Sequence, residues 1–322
     1  MQPGALLFLV GPTASGKKGA ALAVAEALPV GLLALDSMKV YRGMDVGTDK
    51  AGAGRFALTD LVDPDQRFSV GAWVRAARTE VEAVRARGRL PLFVGGTGLY
   101  LQALLRGLFD APPIDPDVRR RVEEMLEARA LPGGGGTPAL HAELGRVDPE
   151  SAARLHPHDG RRIARAYEVW LQTGRPLSRW QAESTRLPIA GVPIAVGIRW
   201  SRPALRRRIS ARVERMFERG LVDEVRRLLE SRRIGPVAAL AIGYRQVAAM
   251  LRDGGSIEEC RRAVVRDTIT FVRRQENWLR RFPEVRWVEA DPDPEGVSRR
   301  VTEAFCAALV PLTAGSDRPS RS

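Results

Sequence analysis

The octet Gly11-Pro12-Thr13-Ala14-Ser15-Gly16-Lys17-Lys18 carries glycine at its first and sixth positions and lysine at its seventh, the spacing of a phosphate-binding loop. In such a loop glycines let the backbone curl until several N–H groups face one anion, and the dipole of the following helix adds positive potential. The eighth position of the pattern is a Ser or Thr whose hydroxyl meets magnesium, but here it is Lys18. The flanks are of the right kind. Leu6 to Val10 is a short apolar run of strand type, and Gly19 to Leu28 is Ala-rich and helix-favouring. A surface turn matching by accident would not need that strand and that helix, so the octet predicts a bound di- or triphosphate. It does not say whether the phosphate is the reagent or the leaving group.

Two more polar clusters follow apolar runs. Asp36 and Ser37 come after Gly31–Leu35, where a carboxylate facing a phosphate cradle serves as general base or magnesium ligand. A turn or helix cap is the other common use of Asp-Ser. Gly95-Gly96-Thr97-Gly98 comes after Leu90–Val94; its glycines admit a ligand closely and Thr97 adds a hydroxyl, with a plain tight turn as the alternative. Strands that alternate with helices imply right-handed crossovers and a parallel sheet, and ligands gather beyond the carboxyl ends of its strands. The three clusters should therefore converge on one cleft.

The elements that must position them define an α/β fold, a P-loop kinase-like parallel sheet flanked by helices, with an all-helical insertion domain. Residues 1–114 are the first part of the core and contain the amphipathic stretch Val70–Arg87. Asp110–Pro116 is a Pro-rich boundary, and residues 115–190 are the helical insertion, interrupted at Gly133–Gly136. Within it Ile163, Ala166, Tyr167 and Trp170 share one helical face. Residues 191–310 resume the core with the strand Ile194–Ile198 and helices near 203–231, 243–252 and 256–281; residues 311–322 read as a polar, disordered tail.

Composition narrows the partners. The chain has 322 residues, 44% hydrophobic and 28% charged, with a formal net charge of +13. It contains no apolar stretch near the roughly 20 residues that span a bilayer, and its first apolar run leads into the loop rather than to a cleavage site, so no membrane association or signal peptide is expected. Cys260 and Cys306 lack metal-site spacing and suggest a reducing cytoplasm. Only four of the 51 basic residues are lysine, and base composition accounts for part of such an arginine bias. The excess still attracts polyanions. Arg199–Arg215 holds seven arginines against one glutamate, and Cys260–Arg281 holds seven against Asp267 and Glu276. In the latter, Phe271 and Trp278 lie on one face and read as core rather than as a stacking platform. The opposite face, with Arg273 and Arg274, reads as a track for a phosphate backbone, a solvated face being the alternative. His156-Pro157-His158-Asp159 reads as a helix start capped by Asp159 rather than a metal cluster.

Taken in order, GPTASGK (11–17), DSMKVYRGMDVGT (36–48), GGTGLY (95–100), HPHD with RRIARA (156–166), IGYRQ (242–246) and RRQENW (273–278) resemble the bacterial tRNA dimethylallyltransferase family. The resemblance spans about residues 5 to 290, and the order of motifs is far more specific than any one of them. It implies a dimethylallyl diphosphate substrate rather than ATP, and transfer of the five-carbon group to N6 of adenosine 37 in the anticodon stem-loop of tRNA. By the same resemblance Asp36 accepts the N6 proton. The backbone of Gly11, Pro12, Thr13, Ala14, Ser15, Gly16, Lys17 and Lys18, with the Lys17 ammonium and Arg202, holds the diphosphate as it departs, and Mg2+ shares its charge. Lys17, Thr97, Arg202 and Asp36 form the implied catalytic set. Asp36, Ser37, Met38, Lys39 and Thr97 meet the RNA, joined by Arg119, Arg161, Arg162, Ile163, Ala164 and Arg165 of the insertion and by Arg273 and Arg274. A monomer is expected.

The sequence departs from the family pattern at Lys18, at Lys39 (more usually Gln or Leu), at His158 and Arg161 (usually Asn and Gln), and at Ile269 (usually Arg). No certain metal ligand remains, and Lys18 is expected to weaken the Mg2+ requirement because an ammonium can itself neutralise a diphosphate oxygen. The rivals are an adenylate isopentenyltransferase or small-molecule kinase on the same fold, and an RNA-binding NTPase that modifies nothing. The insertion and the basic helices argue for a macromolecular acceptor against the first, and the missing hydroxyl at position 18 against the second.

Overall fold

Six consecutive buried residues, Ala5–Val10, form β1, a strand covered on both faces as the centre of a parallel sheet requires. It belongs to a computed structural model that describes residues 4–50, 54–108, 113–128, 136–183, 188–231, 233–291 and 293–314. Residues 110–112 of the Pro-rich boundary, 133–135 of the glycine turn and 315–322 of the tail lie outside the described residues.

The chain divides into two units, Met1–Leu105 with Ile189–Ser322, and Arg106–Pro188. In the first, β1 leads through the glycine loop into α1 (Lys17–Ala27), followed by β2 (Val30–Leu35), the short β3 (Phe56–Ala57), α2 (Val70–Ala86), β4 (Leu90–Gly95) and α3 (Gly98–Arg106). The second unit contains α4 (Pro116–Ala128), α5 (Gly136–Val147), α6 (Pro149–Arg154), α7 (Gly160–Thr173) and α8 (Leu177–Glu183). The first unit resumes with β5 (Val192–Arg199), α9 (Arg202–Glu218), α10 (Leu221–Glu230), α11 (Tyr244–Asp253), α12 (Ile257–Leu279), β6 (Val285–Glu289) and α13 (Val297–Ala314).

The strands pair in the order β3-β2-β4-β1-β5-β6, and every pairing is parallel. β1 is therefore central, flanked by β4 (Leu7 beside Leu92) and β5 (Leu7 beside Ile194). Phe8 and Phe93 stack across neighbouring strands at 5.5 Å, and Trp73 of α2 closes over Phe93. Each such fully buried side chain contributes about 1.5–3 kcal/mol, so the sheet is a stiff frame for the loops at its carboxyl edge.

Three expectations need correction. The single helix near 203–231 is two, broken where Gly220 adopts φ +87. α13 continues to Ala314, four residues past the point where the tail was expected to begin. Phe56–Ala57 and Val285–Glu289 add edge strands that sequence periodicity does not announce; β3 is two residues long, and β6 keeps Arg286 and Glu289 exposed as an edge allows.

The second unit has its own core, built around Val122, Leu140, Leu144, Ile163, Ala166 and Val169. Asp148, fully buried, caps α6 through Ser151 N–H (3.0 Å) and accepts from Ser178 N–H of α8 (3.0 Å). Burial alone would raise its pKa, but those hydrogen bonds outweigh it and hold the carboxyl below the ordinary range.

Candidate active site

β1 delivers the chain into the loop at Gly11, whose φ of +149° is glycine territory; a Cβ there would also lie 2.9 Å from the Ile198 carbonyl oxygen. Ala14 sits at φ +62°, a left-handed conformation that costs about 1–3 kcal/mol in a non-glycine residue. The strain is held by contacts from distant elements. Gln275 of α12 accepts from Thr13 N–H (2.9 Å) and donates to the Gly96 carbonyl (3.1 Å), so one amide joins two glycine turns. A Cβ on Gly96 would come within 2.5 Å of that amide. From the other side Trp200 donates to Ser15 O (2.9 Å) and Arg208 Nε donates to Ala14 O (2.8 Å), with the Arg208 guanidinium 4.2 Å above the Trp200 ring. The N-cap of α1 is Gly16, which supplies no side-chain acceptor, so the first-turn N–H groups remain available to an anion.

Beyond this loop lies a cavity of about 330 Å³ within the first unit. The loop residues Thr13–Lys18 line one side, with Asp36, Lys39, Asp49 and Lys50 from the segment after β2. Arg208, Arg212 and Arg215 enter from one face of α9 (i, i+4, i+7), and Phe271 and Gln275 from α12. Ala34, Phe56 and Val94 add apolar lining. All four lysines of the chain line this one cavity. Lys17 bends back to donate to Pro12 O (2.6 Å) and Ser15 Oγ (3.2 Å). Burial, reinforced by the nearby charges of Lys39 and Arg212 and opposed by Asp36, pushes its ammonium down to about 7. Lys39 is lowered as well, by burial first.

Asp36 ends β2 in a turn: its Oδ1 accepts from Met38 N–H (2.8 Å) and Lys39 N–H (3.3 Å). The residue caps a turn, as one sequence alternative expects, and also lines the cavity. Thr97 Oγ1 accepts from Ser37 N–H (3.3 Å), which ties the third cluster to the second. The DVGT segment is anchored by Glu224 of α10, buried, which accepts from the N–H groups of Asp45 (3.0 Å), Val46 (2.8 Å) and Gly47 (3.2 Å) and from Tyr244 Oη (2.5 Å). The Tyr244 hydroxyl is held far above its ordinary pKa by burial and by the Glu224 charge. Lys50, buried, pairs with Asp45 (2.8 Å) and Asp60. Neither the Glu224 anchor nor the Gln275 bridge has a sequence signal short of the motifs that contain Tyr244 and Gln275. The α9 face of Arg208, Arg212 and Arg215 did, in its helical spacing.

Some expected residues stand elsewhere. Arg202 is exposed in the first turn of α9 and does not line the cavity. Arg208 does, about 9 Å further along the axis and about two-thirds of a turn around it. Phe271 is 40% exposed and lines the cavity, so it is not core; Trp278 is half-buried under the Arg281 guanidinium (4.7 Å). Arg273 and Arg274 are exposed on α12. In the helical unit Ile163 is fully buried, on the stripe that faces that unit's core, and its side chain is closed to any ligand. Arg119 and Arg165 are turned to the buried Glu168 (3.6 and 4.0 Å). Ala164 is half-buried, and Arg161 and Arg162 are exposed, Arg162 pairing with Asp159 (3.4 Å). Asp159 caps α7 through Arg162 N–H, as the HPHD reading expects.

The cavity's donor set does not suit a divalent ion held by protein. Mg2+ demands near-octahedral oxygen ligands. Here Asp49 faces Arg212 (3.4 Å) and Arg219 (3.7 Å), Ser15 Oγ is taken by Lys17, and residue 18 offers an ammonium with no acceptor. Among the described residues no group of three or more His, Cys, Asp or Glu could hold a metal ion. Nor, among them, is any helix long and apolar enough to cross a membrane.

Residues 39–282 match the family model for IPP transferase. The chain is 42% identical to the tRNA dimethylallyltransferase of Geobacter sulfurreducens over 306 residues, covering 93% of this chain and 96% of that one. It is 43% identical to that of Thiobacillus denitrificans over 285 residues, 86% of this chain and 89% of the other. Among solved structures it is similar to the full-length tRNA isopentenylpyrophosphate transferase of Bacillus halodurans, with a TM-score of 0.67, 30% identity and coverage of 98% and 99%. A eukaryotic dimethylallyltransferase acting on tRNA shares the fold, with a TM-score of 0.76 at 22% identity over 99% of this chain and 81% of that one.

Proposed function

The chain belongs to the IPP transferase family, and from that premise we propose that it transfers a dimethylallyl group from dimethylallyl diphosphate to N6 of adenosine 37 in the anticodon loop of tRNA. One observation carries the reading: the cation-lined cradle and the Asp36 carboxylate line the same cavity, with apolar Phe56, Val94 and Phe271 beside them. The C1–O bond of the diphosphate ester breaks as the N6–C1 bond forms, the N6 proton passes to Asp36, and diphosphate leaves.

An exocyclic adenine amine is a weak nucleophile, so a fixed base is needed. The turn that binds Oδ1 of Asp36 leaves Oδ2 to take the proton, a role worth ~10²–10⁴-fold. Thr97 positions that turn through Ser37 rather than touching the reacting atoms. The loop N–H groups, Lys17, Lys18 and Arg208 meet the charge that develops on the departing diphosphate; preorganised donors of this kind supply much of a transfer enzyme's rate. Mg2+ is the family's expected cofactor, but the protein's own oxygens build no site for it. Adenosine 37 must leave its stack, at about a few kcal/mol, and the exposed Phe271 offers an apolar face beside the cavity. We assign RNA binding to the helical unit through Arg161 and Arg162, and to α12 through Arg273 and Arg274.

Labelled dimethylallyl diphosphate incubated with unmodified tRNA, AMP or ATP tests the proposal. Label is expected on tRNA alone. Label on AMP would make the chain a free-nucleotide transferase, and phosphate release from ATP without label transfer would make it an NTPase.

A further inference from the structure

The cleft concentrates a kind of charge that the rest of the chain avoids. Of 51 basic residues only Lys17, Lys18, Lys39 and Lys50 are lysine, and all four line the cavity. Wherever composition alone sets the choice, this chain uses arginine. A compact ammonium on a flexible stem does something a planar guanidinium does not: it places a point charge with three rotatable donors against a single oxygen. Lys50 is itself buried and is explained by its pairs with Asp45 and Asp60. Lys17, Lys18 and Lys39 have no carboxylate within 4.0 Å among the described residues, and neither do Arg208 and Arg215. Among the described residues the carboxylates lining the cavity are Asp36, whose Oδ1 is bound into its own turn, and Asp49, which faces Arg212 and Arg219. The cavity thus holds an excess of positive charge, and of Asp36 the turn leaves only Oδ2 uncommitted.

We propose that this cleft takes the diphosphate without a divalent cation, the Lys18 ammonium standing where a metal would bridge the phosphate oxygens. The inference rests on the reading of the cleft as a diphosphate site. A hydroxyl at position 18 would lend an oxygen to a metal; an ammonium repels the metal and binds its anion directly. Lys17 fits the same picture. Burial first, and then its neighbours Lys39 and Arg212, press it towards neutrality; an arriving anion opposes that pressure, whereas a second cation would add to it.

The test is calorimetric titration of the full chain with inorganic diphosphate, in excess EDTA and in excess Mg2+, for wild type, Lys18→Thr and Lys18→Met. Wild type is expected to bind with the same Kd, within about threefold, in both conditions. Lys18→Thr should lose about tenfold or more in EDTA and recover in Mg2+; Lys18→Met should lose in both, because it has neither charge nor oxygen. If Lys18→Thr does not fold, Lys18→Met carries the comparison alone. Wild-type binding that appears only with Mg2+ overturns the inference and leaves the site standing. So does a Lys18→Met variant that binds in EDTA as wild type does. No wild-type binding in either condition overturns the reading of the cleft itself.

Discussion

Arginines of the helical unit and cations of the cleft are the same kind of charge put to opposite use. In the helical unit they sit beside carboxylates one turn away or nearby: Arg120 with Asp117 (2.9 Å), Arg146 with Glu143 (3.0 Å), Arg154 with Glu150 (3.3 Å), Arg162 with Asp159 (3.4 Å) and Arg175 with Glu183. Exposed pairs of this type are worth about 0.2–1 kcal/mol, so a phosphate can replace the carboxylate at little cost. In the cleft, Lys17, Lys18, Lys39, Arg208 and Arg215 line one cavity with no such partner among the described residues. The field at a point depends on where the carboxylates are, not on how many arginines the chain carries.

The largest effect expected from breaking this contrast is at the carboxylate proposed as the base. Asp36→Ala should lower turnover by ~10²–10⁴-fold while diphosphate affinity stays within a few-fold. Equal losses in a rapid-quench and a binding assay would make Asp36 a binding group only. Next comes Arg208→Ala, which removes a charge and the bond to Ala14 O. A charged hydrogen bond contributes about 1.5–3 kcal/mol, so diphosphate affinity should fall by roughly 10–100-fold with tRNA affinity unchanged. The companion Arg202→Ala should leave diphosphate affinity as it was, and a loss there would restore the residue that the family resemblance favours.

Smaller again is Arg161→Gln with Arg162→Gln, which should weaken tRNA binding and flatten its salt dependence by about 0.7–0.9 in slope per lost phosphate contact. An unchanged slope would return both to the solvated face. Least in size is a proton. Burial, with the neighbouring cations, pushes Lys17 down to about 7, so at pH 8 it is mostly neutral. A bound diphosphate favours the charged form, and binding at pH 8 should take up a fraction of a proton. At pH 6 Lys17 is already charged and its contribution should vanish. Binding enthalpies in Tris and Hepes buffers measure the difference; uptake that is absent at pH 8 would mean that burial and the neighbouring cations do not hold Lys17 neutral there.

Much of this was legible in the chain. Loop spacing, the carboxylate after β2 and the GGTG turn are short-range patterns, and backbone geometry within a few residues fixes what they do. Asp159 could be read as a cap because capping is a local hydrogen bond. Phe271 could not be read as exposed, because a helical stripe looks the same whether it faces a core or a cavity. Ile163 shows the converse. Its apolar stripe placed it in a core, and family resemblance placed it on RNA; the stripe was right about the side chain.

By itself the sequence determined the parallel α/β frame, the loop, a carboxylate at Asp36 just after a strand and the oddity at Lys18, all from residues close together along the chain. Only the tertiary structure showed which arginine touches the loop, since Arg208 reaches Ala14 across 194 positions of sequence. It also decided what holds the strained loop, since Gln275 meets Thr13 across 262. Spacing along a chain sets which groups a single turn or helix can bring together. Which charges are left without partners is set by packing between elements, and no count of arginines contains it.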